Sequence, residues 1–398
     1  MPLIAVVTPL FPIREEPYRG NAIYQTVVHL QRHADIEVIC PVAVYPPLLV
    51  PRYRYYRVDH SYRPAGVRTV YVEYPAIPVL SRAVNGAVCA HRIAPYLERL
   101  NPDLILNYWL YPEGYSSVRV ARRLGKPVIV ASRGSDLRRI RDSITRRFVR
   151  LTLNRADFVL TVSQELRTRV IQMGVPPHRT RSIPNGCRHT VFHYAEPAPV
   201  RKQLGIGPGE KIILFVGWLT PGKGLPELLL AFRELAAEDP RVRLVCVGEG
   251  NYLSKIHEFM QSASLENRIL LPGRCHSEQV AAWMTAADVF CLPSHSEGCP
   301  NVVVESVACG CPVVATQIGG IPELISEQCG ILVPPQNPSL LAAALRTALS
   351  ASWDRRSIAN LSARSWQTVA DETFEVCQTV IEQAQSRSFH QSSCPELS

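Results

Sequence analysis

Two carboxylates, Glu297 and Glu305, stand at the ends of seven small or apolar residues in HSEGCPNVVVESVACG (295–310). The segment carries its own start and stop signals. Pro300 suits the first helical position, where its missing N–H costs nothing, and Gly310 suits the stop, where no Cβ opposes a left-handed turn. CPVVAT (311–316) follows as a short apolar run of strand type. Glu297 then lies in the loop before a helix and Glu305 inside it, more than a turn further on. The backbone N–H groups of Gly298, Cys299 and Asn301 lie around that helix start, where donors suit a phosphate or a sugar oxygen. Read alone, the segment is equally compatible with Glu297 complementing a helix dipole and Glu305 being a solvated helix residue.

A second candidate lies upstream. FVGWLTPGKGL (215–225) leaves a strand through Gly217 and places Lys223 between Gly222 and Gly224, just before a helix start near Leu225. A cation, small residues and free N–H groups suit a diphosphate there. The spacing is neither that of a P-loop nor GxGxxG, and an exposed lysine in a glycine turn is the competing reading. VCVGEGNYL (245–253) and LLPGRCHSEQV (270–280) are further strand–glycine–helix junctions. Gly273 and Arg274 in the latter suit the wall of a nucleotide base, or an ordinary turn.

The elements that must position these residues alternate in type. In the first half, apolar runs at 3–8, 36–40, 67–73, 103–109, 127–132 and 157–162 alternate with amphipathic stretches at 21–33, 81–100, 113–124, 142–155 and 163–173. In the second, runs at 211–217, 243–248, 268–273, 288–294, 311–316 and 330–334 repeat the plan. Such alternation predicts two α/β domains, each a doubly wound parallel sheet covered on both faces, with ligands in a cleft beyond the strand ends. The expected divisions are a first Rossmann-like domain over 1–193, a Pro- and Gly-rich linker over 194–210 and a second domain over 211–364. A C-terminal helix over 365–386 and a flexible polar tail over 387–398 complete the expectation.

Composition narrows the function. The 398 residues are 46% hydrophobic, ordinary for a globular chain, and no apolar run reaches membrane-spanning length. The opening MPLIAVVTPLFP reads as a buried first strand rather than a secretion signal. Twelve cysteines without a CxxC pair predict mostly buried free thiols in a cytosolic protein. No His, Cys or Asp cluster has metal-ligand spacing, so no metal is expected. Charge is uneven: residues 1–200 hold 28 Lys and Arg against 14 Asp and Glu, and residues 201–398 hold 15 against 20. RRIRDSITRRFVR (138–150) has six arginines, and PRYRYYRVDHSYR (51–63) mixes four with four tyrosines and a histidine. Such segments suit an anionic membrane surface or a lipid diphosphate, or else are solvated faces. No nucleic-acid-reading module is present.

GWLTPGKG, followed about seventy residues later by SEGCPNVVVESVACGCPVVATQIGGIPELI, resembles the donor-binding half of glycosyltransferase family 4. LTVSQELRTRVIQMGVPPHRTRSIPNGCRHTVF (160–192) resembles that family's approach to its interdomain linker. The resemblance implies the GT-B fold, with two domains facing across a cleft and the C-terminal helix crossing back to the first. It implies a retaining transfer of a sugar from a nucleotide diphosphate. Glu305 would take the ribose hydroxyls, and Glu297 the donor sugar near the reacting centre. The backbone N–H groups of the segment Gly298, Cys299, Pro300 and Asn301, the proline excepted, would meet sugar and phosphate oxygens. Lys223 would neutralise the departing diphosphate beside Gly217, Gly273 and Arg274 would flank the nucleotide, and Gly319 and Gly320 would close the loop beside the sugar.

Two positions depart from the family pattern. Trp218 stands where many members have arginine after the glycine of the phosphate loop. In VIVASRGSDL (128–137), Arg133 stands where histidine is usual. Arginine stays protonated, so Arg133 reads as a fixed cation facing the donor or an anionic acceptor, or as the ion-pair partner of Asp136. The loop PIREEPYRGNAIYQ (12–25) has one glycine, Gly20, where relatives often have two, and with Asn21 it is the expected acceptor side. NYWLYPEGY (107–115) is an aromatic loop on the same side. The expected enzyme moves a sugar to a glycan or lipid-linked acceptor in surface polysaccharide or glycolipid assembly, in the cytoplasm or peripherally at the inner membrane face. It would need neither cofactor nor metal. The alternatives are a catalytically degenerate sugar-nucleotide-binding protein and a GT-B epimerase or phosphorylase.

Overall fold

The computed structural model describes residues 1–46, 58–77, 80–138, 140, 142–362 and 364–392. Most of the tyrosine–arginine stretch, 51–57, and the last six residues of the expected tail, 393–398, lie outside the described residues. The chain forms two compact units, one of residues 1–184 with 366–398, the other of residues 185–365.

The first unit holds seven parallel strands: β1 (Leu3–Val7), β2 (Asp35–Val44), β3 (Thr69–Pro75), β4 (Leu104–Tyr108), β5 (Val128–Ser132), β6 (Phe158–Thr161) and β7 (Thr180–Ser182). Their order is β3-β2-β1-β4-β5-β6-β7. Both faces are covered, so β1, β4 and β5 are apolar almost throughout and buried. The helix Trp366–Ser392 belongs to this unit and packs on the helix Asn21–Leu30. It buries Val369, Ala370, Cys377 and Val380 there. The His33 ring stacks on Phe374 at 5.0 Å, and its Nε2 lies 2.7 Å from Asp371. Residues 387–392, expected in the polar tail, continue this helix instead. They contain neither proline nor glycine to end it.

The second unit has six parallel strands: β8 (Lys211–Val216), β9 (Val242–Val247), β10 (Ile269–Gly273), β11 (Val289–Leu292), β12 (Val313–Thr316) and β13 (Gly330–Val333). The order β10-β9-β8-β11-β12-β13 places a reversal of winding between β8 and β11. Loops leaving the carboxyl ends of two such strands diverge to opposite faces and leave a crevice. The sequence between 194 and 210 is not bare linker: it carries a helix, Pro197–Gln203, within this unit. All eleven cysteines among the described residues are free, and ten are buried.

Candidate active site

Register at the β8/β11 switch point decides what meets. Val289 pairs with Ile213 and Phe290 with Leu214, so the loops after both strands start side by side. From β8 the chain runs through Gly217 and the exposed Trp218 into one tight turn, Pro221–Lys223, and then the helix Leu225–Glu238. From β11 it runs through Pro293 to Glu297 and on to the helix Asn301–Ala308. The two loops join where their charges lie: Lys223 Nζ donates to Glu297 Oε1 at 2.6 Å. The side chains are 29% and 10% exposed, so the pair works in a partly desolvated setting, where Coulomb forces exceed those in water.

The helix after Glu297 starts one residue later than its sequence suggests. Pro300 has an extended backbone (ψ 117°) and caps the helix, which begins at Asn301. Asn185 holds both sides of that proline, its Nδ2 donating to the Cys299 carbonyl at 2.8 Å and to Asn301 Oδ1 at 2.6 Å. Gly310 ends the segment in the left-handed conformation, as expected. From the next loop, the Gly320 N–H donates to the Gly298 carbonyl at 2.9 Å, tying Gly319 and Gly320 to the Glu297 loop.

Glu305 keeps some surface, but its carboxyl sits deep among protein atoms, and that depth governs its charge. Burial raises its pKa from 4.5 to about 7, with the field of Arg188 acting the other way. An unfolded chain loses this proton near the ordinary value, so the folded state holds it more tightly. The contribution to stability is complete below the unfolded value and is lost as pH rises through about 7. Glu305→Gln is therefore expected to melt with the parent protein at pH 5 and above it at pH 8. Equal melting temperatures at both pH values would show that the carboxyl is not held neutral.

Gly273 and Arg274 are not brought to this centre in the same way. Gly273 ends β10, the sheet edge, and β9 stands between β10 and β8. Arg274 is exposed in the bend that follows.

In the first unit, Arg133 follows β5 and lines a small cavity with Thr26, Tyr108, Ser132, Thr161 and Thr373. The Asp136 carboxylate is buried and gathers backbone donors: Arg133 N at 3.1 Å, Gly134 N at 2.9 Å and Leu110 N at 3.2 Å, with Ser132 Oγ at 2.9 Å. Burial raises its pKa and those hydrogen bonds oppose the rise. Asp136 thus shapes the loop that presents Arg133. Gly20 opens the helix Asn21–Leu30 at φ 64°, and a Cβ there would fall 2.0 Å from the Leu10 carbonyl oxygen, so packing alone requires glycine.

Four residues at these loops were not singled out by type and spacing. Asn185 was visible only within SIPNGC, with nothing to mark its partner more than a hundred residues away. Glu113, in the aromatic loop after β4, is buried, receives the Tyr74 hydroxyl at 3.2 Å and leaves Oε2 without a hydrogen bond. Burial pushes its pKa up to about 7. His295 and Glu227 meet beside Lys223, ring Nε2 to carboxylate Oε1 at 3.0 Å. No periodicity or motif signals such pairs, because tertiary approach creates them.

Comparison with known proteins agrees with this geometry. Residues 198–365 match the family model "Glycosyl transferases group 1", and residues 20–186 match "Glycosyl transferase 4-like domain". TuaC of Bacillus subtilis, assigned as a teichuronic acid biosynthesis glycosyltransferase, is 28% identical over 359 residues, covering 85% of this chain and 87% of TuaC. Seven other curated relatives align over 42% to 69% of their own length. Among solved structures, sucrose-phosphate synthase from Thermosynechococcus elongatus superposes with a TM-score of 0.76 at 21% identity, covering 96% of this chain and all of that one. HepE from Anabaena, solved with UDP-glucose, gives 0.70 at 20% identity over 98% and 100% of the two chains. At those identities the structures establish a shared fold, two parallel-sheet units of the GT-B type. With family models matched in both units and a switch-point site in the second, the chain belongs to the family 4 glycosyltransferases.

Proposed function

We propose that the protein transfers a sugar, with retention, from a nucleotide-diphosphate sugar to a glycan or lipid-linked acceptor in surface polysaccharide or glycolipid assembly. The observation that carries this reading is the Lys223–Glu297 pair at the β8/β11 switch point, immediately before the start of the helix Asn301–Ala308. As the bond between the sugar C1 and the diphosphate oxygen breaks, the electron pair stays on the diphosphate. A cation and fixed N–H dipoles stabilise that growing charge. Glu297 orients the sugar, Glu305 takes the ribose hydroxyls, and the acceptor oxygen bonds to C1 on the face the diphosphate leaves, its proton passing to the departing diphosphate oxygen. Arg133 stays protonated and serves as a fixed charge, not as a base. The similarity to TuaC supports a polysaccharide acceptor, and the fold shared with HepE supports a uridine nucleotide donor.

Transfer is proposed to need no metal, the helix start and Lys223 supplying the positive field. The test is thermal melting with UDP, GDP and ADP in the presence of a chelator. A nucleotide at 100 times its dissociation constant stabilises a fold by about 2.7 kcal/mol. One nucleotide is expected to raise the melting temperature, and Glu305→Ala to abolish the rise. No shift with any of the three would sink the donor assignment, and a shift that requires added magnesium would sink metal independence.

A further inference from the structure

Beyond the exposed Trp218, the structure places a second side-chain pair, His295 with Glu227, against the turn that carries Lys223. The His295 N–H donates to the Gly222 carbonyl at 3.0 Å, on one side of Lys223. The His295 ring places Nε2 3.0 Å from Glu227 Oε1, in the first turn of the helix that begins on the other side. Between them, a Cβ on Gly224 would fall 1.9 Å from the Pro293 carbonyl oxygen, so the turn lies directly on the chain leading to His295. Glu227 Oε2 is buried without a hydrogen bond, so among the described residues that carboxylate is held at Oε1, by His295. The side chains are 30% and 14% exposed.

We infer that the His295–Glu227 pair positions Lys223: it fastens both ends of the lysine turn to the loop that carries Glu297. The inference rests on the donor-site reading above. His295 is a positioning residue here, acting through the turn. The His295 backbone N–H holds Gly222 and its ring meets Glu227, so one residue spans the turn. A hydrogen bond to a carboxylate is stronger than one between neutral groups, so this contact resists opening of the turn.

The test compares dissociation constants of UDP and UMP (or the base the melting experiment selects). Both nucleotides carry the ribose, so their ratio isolates the terminal phosphate that Lys223 would meet. Preference for the diphosphate is expected to fall about tenfold from the parent in His295→Ala. Glu227→Ala should reproduce the loss, and the double variant should add nothing to it. A preference equal to the parent in either single variant would overturn the inference, as would losses that add in the double variant. A parent protein that binds none of the nucleotides overturns the donor-site reading as well, so the two failures are told apart in the first arm.

Discussion

Lys223→Ala is expected to lower the rate of sugar transfer by about 10²- to 10³-fold, the loss seen when one fixed stabiliser of a developing charge is removed. The reasoning starts from the unliganded pair. Lys223 and Glu297 already meet at 2.6 Å with little exposed surface, so the ammonium stands ready in a site of reduced dielectric. Charge on the departing diphosphate grows along the reaction, so the interaction strengthens toward the transition state and the loss falls mainly on kcat. Glu297→Gln keeps the shape but removes the charge that orients the sugar and partners the lysine, and it too is expected to cut kcat while nucleotide affinity holds. Because each residue is the other's partner, the double variant should lose much less than the product of the single losses. The assay is steady-state transfer with the donor that the melting experiment selects. Transfer at the parental rate in Lys223→Ala would mean that the diphosphate is stabilised elsewhere. Parental and Glu297→Gln proteins that both bind nucleotide without transfer would favour a binding protein.

Much of this site was legible because the local signals and the topology agree. Alternating β and α segments dictate parallel sheets, parallel sheets put loops at one end, and Lys223 and Glu297 lie in loops of that kind. Which loops become neighbours follows from strand order, which periodicity does not encode. Gly273 and Arg274 look as well placed as Lys223 in sequence, yet β10 is the edge strand and β11 is beside β8. The seventh strand of the first unit, Thr180–Ser182, is three polar residues long and offers no apolar run to detect. Pro300 misled by one position because proline fixes φ and leaves ψ open, and the side chain of Asn185 decides the rest. The pair His295–Glu227 spans 68 residues and has no local signature at all.

Gly224→Ala is expected to be among the most damaging small substitutions in the second unit, and its neighbours allow the cause to be separated. Residue 224 has φ 73°, and an added methyl would meet the Pro293 carbonyl oxygen at 1.9 Å and its carbon at 2.5 Å. The left-handed backbone alone costs an alanine about 1–2 kcal/mol, and forcing the turn off the β11 loop adds about 1–3 kcal/mol. A loss of that total size lowers the melting temperature of a domain this large by roughly 10 °C. Gly205 has a similar φ, 69°, with open space around it, so Gly205→Ala should show the backbone cost alone. Gly222 has open space and an unexceptional φ, and Gly222→Ala should melt close to the parent. Lys223 and Glu297 sit on the two surfaces that the methyl would pry apart, so Gly224→Ala should also lose diphosphate affinity, and Gly205→Ala should keep it. If Gly224→Ala melts with Gly205→Ala and binds as the parent does, the lysine turn yields freely, and close packing against Pro293 is not what sets the position of Lys223.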